Sequence, residues 1–63
     1  MLDVKGKRVV VVGLGASGIA ACRLLVARGA HVVGTDAKKA ESVSDGVRGL
    51  AGEGITLVLG GHA

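Results

Sequence analysis

The sequence predicts an α/β fold, the β-α-β-α-β half of a doubly wound parallel sheet. Three observations carry that expectation. An unbroken β-branched run, Val9 to Val12, ends at a glycine-rich turn; the apolar period then becomes that of a helix; and a second apolar run beginning at His31 ends in an acid, Asp36. Strand patterns alternating with helix patterns build parallel sheets with right-handed crossovers.

Lys7 to Val12 reads as the first strand, and a run without alternation is expected to be buried on both faces. Gly13 stops it. From about Ala16, the residues Ile19, Cys22, Leu25 and Val26 recur at helical spacing, while Arg23 and Arg28 reach water. Gly29 supplies the left-handed cap that ends many helices. His31 to Thr35 is the second strand, with Gly34 its weak point and Asp36 at its carboxyl end. Ala37 to Ser44 is polar and reads as loop, Asp45 to Ala51 as a short irregular helix, and Gly52 to Gly54 as its end. Ile55 to Leu59 is a third apolar strand, followed by a turn at Gly60-Gly61-His62. The third strand is expected to leave an unpaired edge and the helices to leave apolar faces uncovered, so folding is expected to be marginal.

Length and composition bound the reading. The chain has 63 residues, no aromatic residue and a single cysteine, Cys22. A chain of this size buries only about 60% of its unfolded surface, and no aromatic area or disulfide adds to the aliphatic core. A doubly wound domain has about five or six strands, and this sequence has room for about three. Residues 1-63 therefore read as the N-terminal part of a longer Rossmann-like domain.

The net charge is +3 with eight Lys and Arg, scattered over Lys5, Lys7, Arg8, Arg23, Arg28, Lys38, Lys39 and Arg48. No basic stripe and no aromatic platform is present, which argues against nucleic acid as a partner. Lys5, Lys7 and Arg8 before the uncharged stretch Val9 to Cys22, with Ile19-Ala20-Ala21-Cys22, have the layout of an export signal. Gly13, Gly15, Ser17 and Gly18 break its apolar helix, and the stretch is shorter than the ~20 apolar residues that span a bilayer. The chain is expected in the cytoplasm, without a membrane partner.

Residues 13 to 18, Gly-Leu-Gly-Ala-Ser-Gly, follow the first strand directly, with Asp36 placed where the dinucleotide fingerprint has its acid. Gly13 permits the tight turn, Gly15 lets the backbone approach a phosphate, and Gly18 lets the helix pack on the strand. The amides of Ala16 and Ser17 lie at the positive end of the helix dipole, where they hold a diphosphate. The Ser17 hydroxyl either donates to phosphate or caps the helix. Lys38 and Lys39 face a ring or phosphate, or line a solvated loop. His31 and His62 lack metal-ligand spacing, and Cys22 reads as a small core residue. Asp45 and Glu53 read as solvated surface. No metal site and no catalytic residue is expected. One reading of the motif is an NAD- or NADP-binding lobe of an oxidoreductase or regulatory domain, because Asp36 suits a ribose 2′-hydroxyl.

The stretch Leu2 to Ala20, with Ala27-Arg28-Gly29-Ala30 and Thr35-Asp36 beyond it, resembles the start of the Mur ligases, in particular the type that adds D-glutamate to UDP-N-acetylmuramoyl-L-alanine. The GLGxSG form is more specific than the generic fingerprint. The resemblance implies a Rossmann-like domain that binds the UDP part of the substrate and no redox cofactor. It places Ala16 and Ser17 on the diphosphate and Asp36 on the uracil ring. Ala37 stands where the family can carry a threonine, leaving the backbone amide there, and Lys38 where an arginine can lie across the base, a point charge in place of a planar face. ATP and magnesium belong, by the same resemblance, to a central domain absent here, as is the C-terminal domain; no GxxxxGK[ST] motif occurs in this sequence. The fragment alone is expected to be inactive.

Overall fold

The computed structural model describes residues 3–60. The elements follow in the order β1 (Arg8–Val12), α1 (Ala16–Ala27), β2 (His31–Asp36), a short 3-10 turn (Ala40–Ser42), α2 (Asp45–Ala51) and β3 (Thr56–Leu59). The strands form one parallel sheet in the order β1-β2-β3, with Val11 level with Gly34 and Gly34 level with Leu57. This is the β-α-β-α-β unit of a Rossmann-like fold. Both crossovers step the same way across the sheet, so a common hand puts both helices on one face, where α1 packs on β1, β2 and α2, and α2 on β3.

That one-sided covering corrects the expectation for the first strand. Val9 and Val11 turn toward the helices and are partly buried, whereas Val10 and Val12 are 56% and 74% exposed on the open face. The β-branched run fits a sheet covered on both sides, but these helices cover only one. The exposed apolar surface is therefore chiefly that of the sheet, at Val10, Val12 and Val58, with Leu24 the exposed large apolar residue on a helix. Both β1 and β3 have an outer edge without a strand among the described residues, not β3 alone. Gly61 and His62 lie outside the described residues, and Gly60 turns with φ +87°.

The two helix-to-strand connections are built alike. After α1, Gly29 takes φ +86°, its N–H donates to the Val26 carbonyl and the Ala30 N–H to the Leu25 carbonyl, both at 3.0 Å. This pair of bonds is the Schellman arrangement, which satisfies end-of-helix carbonyls. After α2, Gly54 takes φ +85° and the Ile55 N–H donates to the Leu50 carbonyl at 3.3 Å. Ala30, Leu50 and Ile55 are all buried, so each turn drops an apolar residue into the core as it ends the helix. Helix α2 is regular, with Ser44 as its N-cap accepting from the Val47 N–H, and the preceding loop contains the 3-10 turn that the polar sequence concealed.

The core gathers Val4, Leu14, Cys22, Ala30, Val32, Val43, Val47, Leu50 and Ile55. The lead before β1 belongs to it: Val4 is buried, and the Gly6 N–H donates to the Gly29 carbonyl at 2.8 Å. Gly34 is no weak point. A Cβ there would lie 3.1 Å from Leu14 Cδ2 and 3.5 Å from Cys22 Sγ, so glycine is what lets α1 and the turn sit on β2. Outside the core, Arg23 forms a forked ion pair with Glu53, Nε to Oε1 and Nη2 to Oε2 both at 3.1 Å, and Arg48 reaches Asp45 at 3.5 Å. Glu53 and Asp45 are thus each paired with an arginine. Solvent-exposed pairs of this kind add little to stability; the first joins α1 to the α2–β3 turn.

Gly34→Ala is expected to lower stability by about 1–3 kcal/mol through overpacking. Gly49→Ala, on an exposed turn of α2 with no neighbour within 4 Å, is expected to raise it by about 0.5–1 kcal/mol; urea unfolding midpoints compare the two. Cys22 is fully buried, and burial pushes its thiol above the ordinary range. The folded chain therefore keeps the thiol neutral after the unfolded chain has ionised. That contribution to stability is complete below the unfolded thiol's ordinary value, about pH 8.5, and is lost as pH rises from there through the raised folded value. Iodoacetamide labelling at pH 8 is expected to be slow in buffer and fast in urea.

Candidate functional site at the carboxyl ends of the strands

Gly13 leaves β1 with φ +88° while its N–H still donates to the Thr35 carbonyl at 2.8 Å, so the glycine-rich turn starts in register with β2. Leu14 then dives inward and is buried against Gly34. Its side chain holds the turn down. Gly15, with nothing within 4 Å of a would-be Cβ, is the N-cap of α1, and the first bond along the helix runs from the Ile19 N–H to the Gly15 carbonyl at 2.9 Å. A Cβ on Gly18 would collide with the Gly13 carbonyl oxygen. The three glycines thus have three reasons: a left-handed turn, an open approach and a helix pressed on the strand end.

The amides of Ala16, Ser17 and Gly18 precede the first intrahelical bond, and no acid lies in that turn. They form the positive end of the α1 dipole. Ser17 is exposed at the second helical position, and the N-cap is Gly15, so the capping role considered for the serine is not the one it has here.

Asp36 ties the turn to the end of β2. Its Oδ2 accepts from the Leu14 N–H at 2.8 Å and its Oδ1 from the Lys38 N–H at 3.0 Å. Bonds from amides to a carboxylate are among the stronger hydrogen bonds. A cleft of about 210 Å³ opens here, lined by Leu14, Gly15, Asp36 and Lys38, with Val43, Ser44 and Val47 forming the far wall. Of the residues singled out in the sequence, Gly15, Asp36 and Lys38 come together in it. Gly13 and Gly18 shape the turn, Ala16 and Ser17 stand exposed at the start of α1, and Ala37 is exposed between Asp36 and Lys38. Lys39 lies instead beside Gly60, whose N–H donates to the Lys38 carbonyl at 2.8 Å.

The wall of Val43, Ser44 and Val47 was not legible as part of a site. Its one signal is Ser44 directly before Asp45, a helix-start pattern that fixes where α2 begins but not what it faces. A larger depression of about 610 Å³ lies among Gly6, Arg8, His31, Thr56 and neighbouring residues at the amino ends of the strands. Size does not choose between them: ligands of open α/β sheets bind beyond the carboxyl ends, where the glycine turn is. Among the described residues no group of three or more His, Cys, Asp or Glu is placed to hold a metal, and no helix is long and apolar enough to cross a membrane.

The parallel unit, the glycine turn and the acid at the end of β2 define a segment of a Rossmann-like α/β protein. Comparison of sequences narrows this further. The chain is 46% identical over 61 residues to the UDP-N-acetylmuramoylalanine--D-glutamate ligase of Acidobacterium capsulatum, covering 97% of this chain and 13% of that protein. It is likewise 46% identical to the enzyme of the same name from Koribacter versatilis, covering 97% and 14%, and 44% identical to that of Desulfosudis oleivorans, covering 97% and 13%. No protein-family profile matches it. The chain is thus a relative of these D-glutamate ligases along nearly all of its own length, as the resemblance in the sequence implied, and it spans about one-seventh of theirs.

Asp36→Asn replaces one acceptor oxygen by an NH2 group facing an amide donor. Amide exchange at Leu14 or Lys38 is expected to accelerate roughly 10- to 100-fold, the loss of one hydrogen bond to a charged group. Unchanged exchange at both amides would show that the carboxylate does not hold the turn.

Proposed function

We propose that this chain is the N-terminal, UDP-holding part of a cytoplasmic ligase that adds D-glutamate to UDP-N-acetylmuramoyl-L-alanine in peptidoglycan synthesis. The observation that carries the reading is the hydrogen bond from the Leu14 N–H to Asp36, which sets the acid and the first turn of α1 beside one cleft. The names of the relatives supply the substrate class. In this reading the diphosphate lies on the amides of Ala16 and Ser17, over Gly15, with the Ser17 hydroxyl donating to a phosphate oxygen. Gly13 and Gly18 hold that turn in place. Asp36 accepts the ring N–H of uracil, the Ala37 backbone amide lies alongside, and Lys38 contributes charge at the cleft rim. These contacts position substrate.

The reacting carboxylate, ATP and magnesium fall to parts of the ligase beyond this segment. The sequence carries no GxxxxGK[ST] loop with which to hold a nucleoside triphosphate. The remaining domains of the same protein are therefore the partners of the segment, and the 63-residue chain is inactive alone. A second reading keeps NAD or NADP in the same cradle, because an acid at the end of β2 also accepts from a ribose 2′-hydroxyl.

Calorimetric titration with UDP and, separately, with NAD decides between them. UDP is expected to bind and NAD to bind at least about tenfold more weakly, a difference of about 1.4 kcal/mol; NAD binding without UDP binding would sink the ligase reading. Ser17→Ala is expected to weaken UDP by about 0.5–1.5 kcal/mol, the net value of one hydrogen bond, and to leave the unfolding midpoint unchanged because Ser17 caps nothing. An equal loss of binding and stability would return the serine to a structural role.

A further inference from the structure

Asp36 accepts backbone hydrogen bonds from two sides of the cleft. The Leu14 N–H, bonded to Oδ2 at 2.8 Å, belongs to the peptide unit that joins Gly13 to Leu14, and the Lys38 N–H, bonded to Oδ1 at 3.0 Å, to the unit that joins Ala37 to Lys38. A peptide unit is planar and turns as one body. The carbonyl of the Gly13–Leu14 unit is the group on which Gly18 rests, since a Cβ on Gly18 would collide with its oxygen. Fixing the N–H of that unit therefore fixes the seat of α1, one residue beyond Ser17. On the other side the Lys38 carbonyl accepts from the Gly60 N–H at 2.8 Å, so the Lys38 backbone is held by the carboxylate and by the end of β3 together. A carboxylate near a bound diphosphate repels it, so the phosphates themselves give no reason for an acid at this place. Its grip on two turns does.

We propose that Asp36 is a positioning residue for the diphosphate as well as a contact for the base, and that it couples the two. Through the Gly13–Leu14 and Ala37–Lys38 peptide units, one carboxylate sets the phosphate-facing turn of α1 in register with the base-facing turn after β2. The proposal rests on the reading of this cleft as a UDP site. Contacts at the two ends of the ligand are then not independent: a ligand that orders one turn finds the other already placed, which is positive coupling between two subsites. A carboxylate that only received the base would leave the phosphate contacts indifferent to its loss, because substitutions without a shared partner have additive effects.

A double-mutant cycle on UDP affinity, measured by calorimetry on the 63-residue chain, separates the two roles. Ser17→Ala alone is expected to weaken UDP roughly two- to tenfold, and Asp36→Ala alone at least about tenfold. In the Asp36→Ala chain, Ser17→Ala is expected to cost less than about half as much on a logarithmic scale. An equal or larger fold-loss there overturns the coupling and leaves UDP as the ligand; no UDP binding to the unsubstituted chain overturns the reading of the cleft, and the coupling with it. Asp36 lies outside the core cluster, so Asp36→Ala is expected to keep Cys22 protected from iodoacetamide. Where that protection is lost, Asp36→Asn takes its place in the cycle and the Leu14 amide is followed by hydrogen exchange. Ser17→Ala then costs less in the Asp36→Asn chain if that amide exchanges faster, and the same if it exchanges as before. Either mismatch between exchange and affinity overturns the proposal.

Discussion

The contact between the first turn of α1 and the end of β1 governs the arrangement of this chain. Gly18 meets the Gly13 carbonyl at a separation that no side chain would permit. The helix can therefore start immediately above the strand, with its unbonded amides facing outward over Gly15. Leu14 is then carried inward to fill the space over Gly34, and Asp36 receives the Leu14 amide. One close approach thus couples core packing to the site. The residue between the first two glycines is as much a part of the device as the glycines are.

The same economy of space shapes the rest of the core. With no aromatic residue, the chain fills its interior with small aliphatic groups and brings the backbone close instead. Gly34 gives room for Leu14 and Cys22, and Gly29 lets the Lys5 segment lie against the end of α1. Each helix ends at a left-handed glycine followed by a buried residue, so the turn chemistry and the core are one feature. The cost is a sheet covered on one face only, which leaves Val10, Val12 and Val58 in water. In a doubly wound sheet such positions are covered by further helices, and the relatives, about seven times as long, have the chain length for them.

Much of the fold was legible in sequence because local signals and packing agree. The strand at Arg8–Val12, the helix ending before Gly29 and the strand ending at Asp36 each combine period with a terminating residue. The errors fall where a residue's environment is made by a distant element. Val10 and Val12 look like core because their residue type does, yet which faces are covered depends on where two helices land. Gly34 looks like a defect in a strand until Leu14 and Cys22 are placed against it. Ser44 and Val47 sit far from the glycine turn in sequence, and nothing local says that they wall the cleft beside Asp36.

The sequence by itself determined the order of strands and helices, the glycine turn, the acid at the end of the second strand and the relationship to the D-glutamate ligases. These follow from period, turn residues and motif spacing, all of which are local or matched by alignment. Only the tertiary structure decided that both helices share one face, that the Asp36 carboxylate is engaged by the Leu14 and Lys38 amides, and that Glu53 pairs with Arg23. Each depends on which residues meet across long separations. That is set by the hand of the crossovers and by the few glycines that let backbones approach, and no window of sequence contains it.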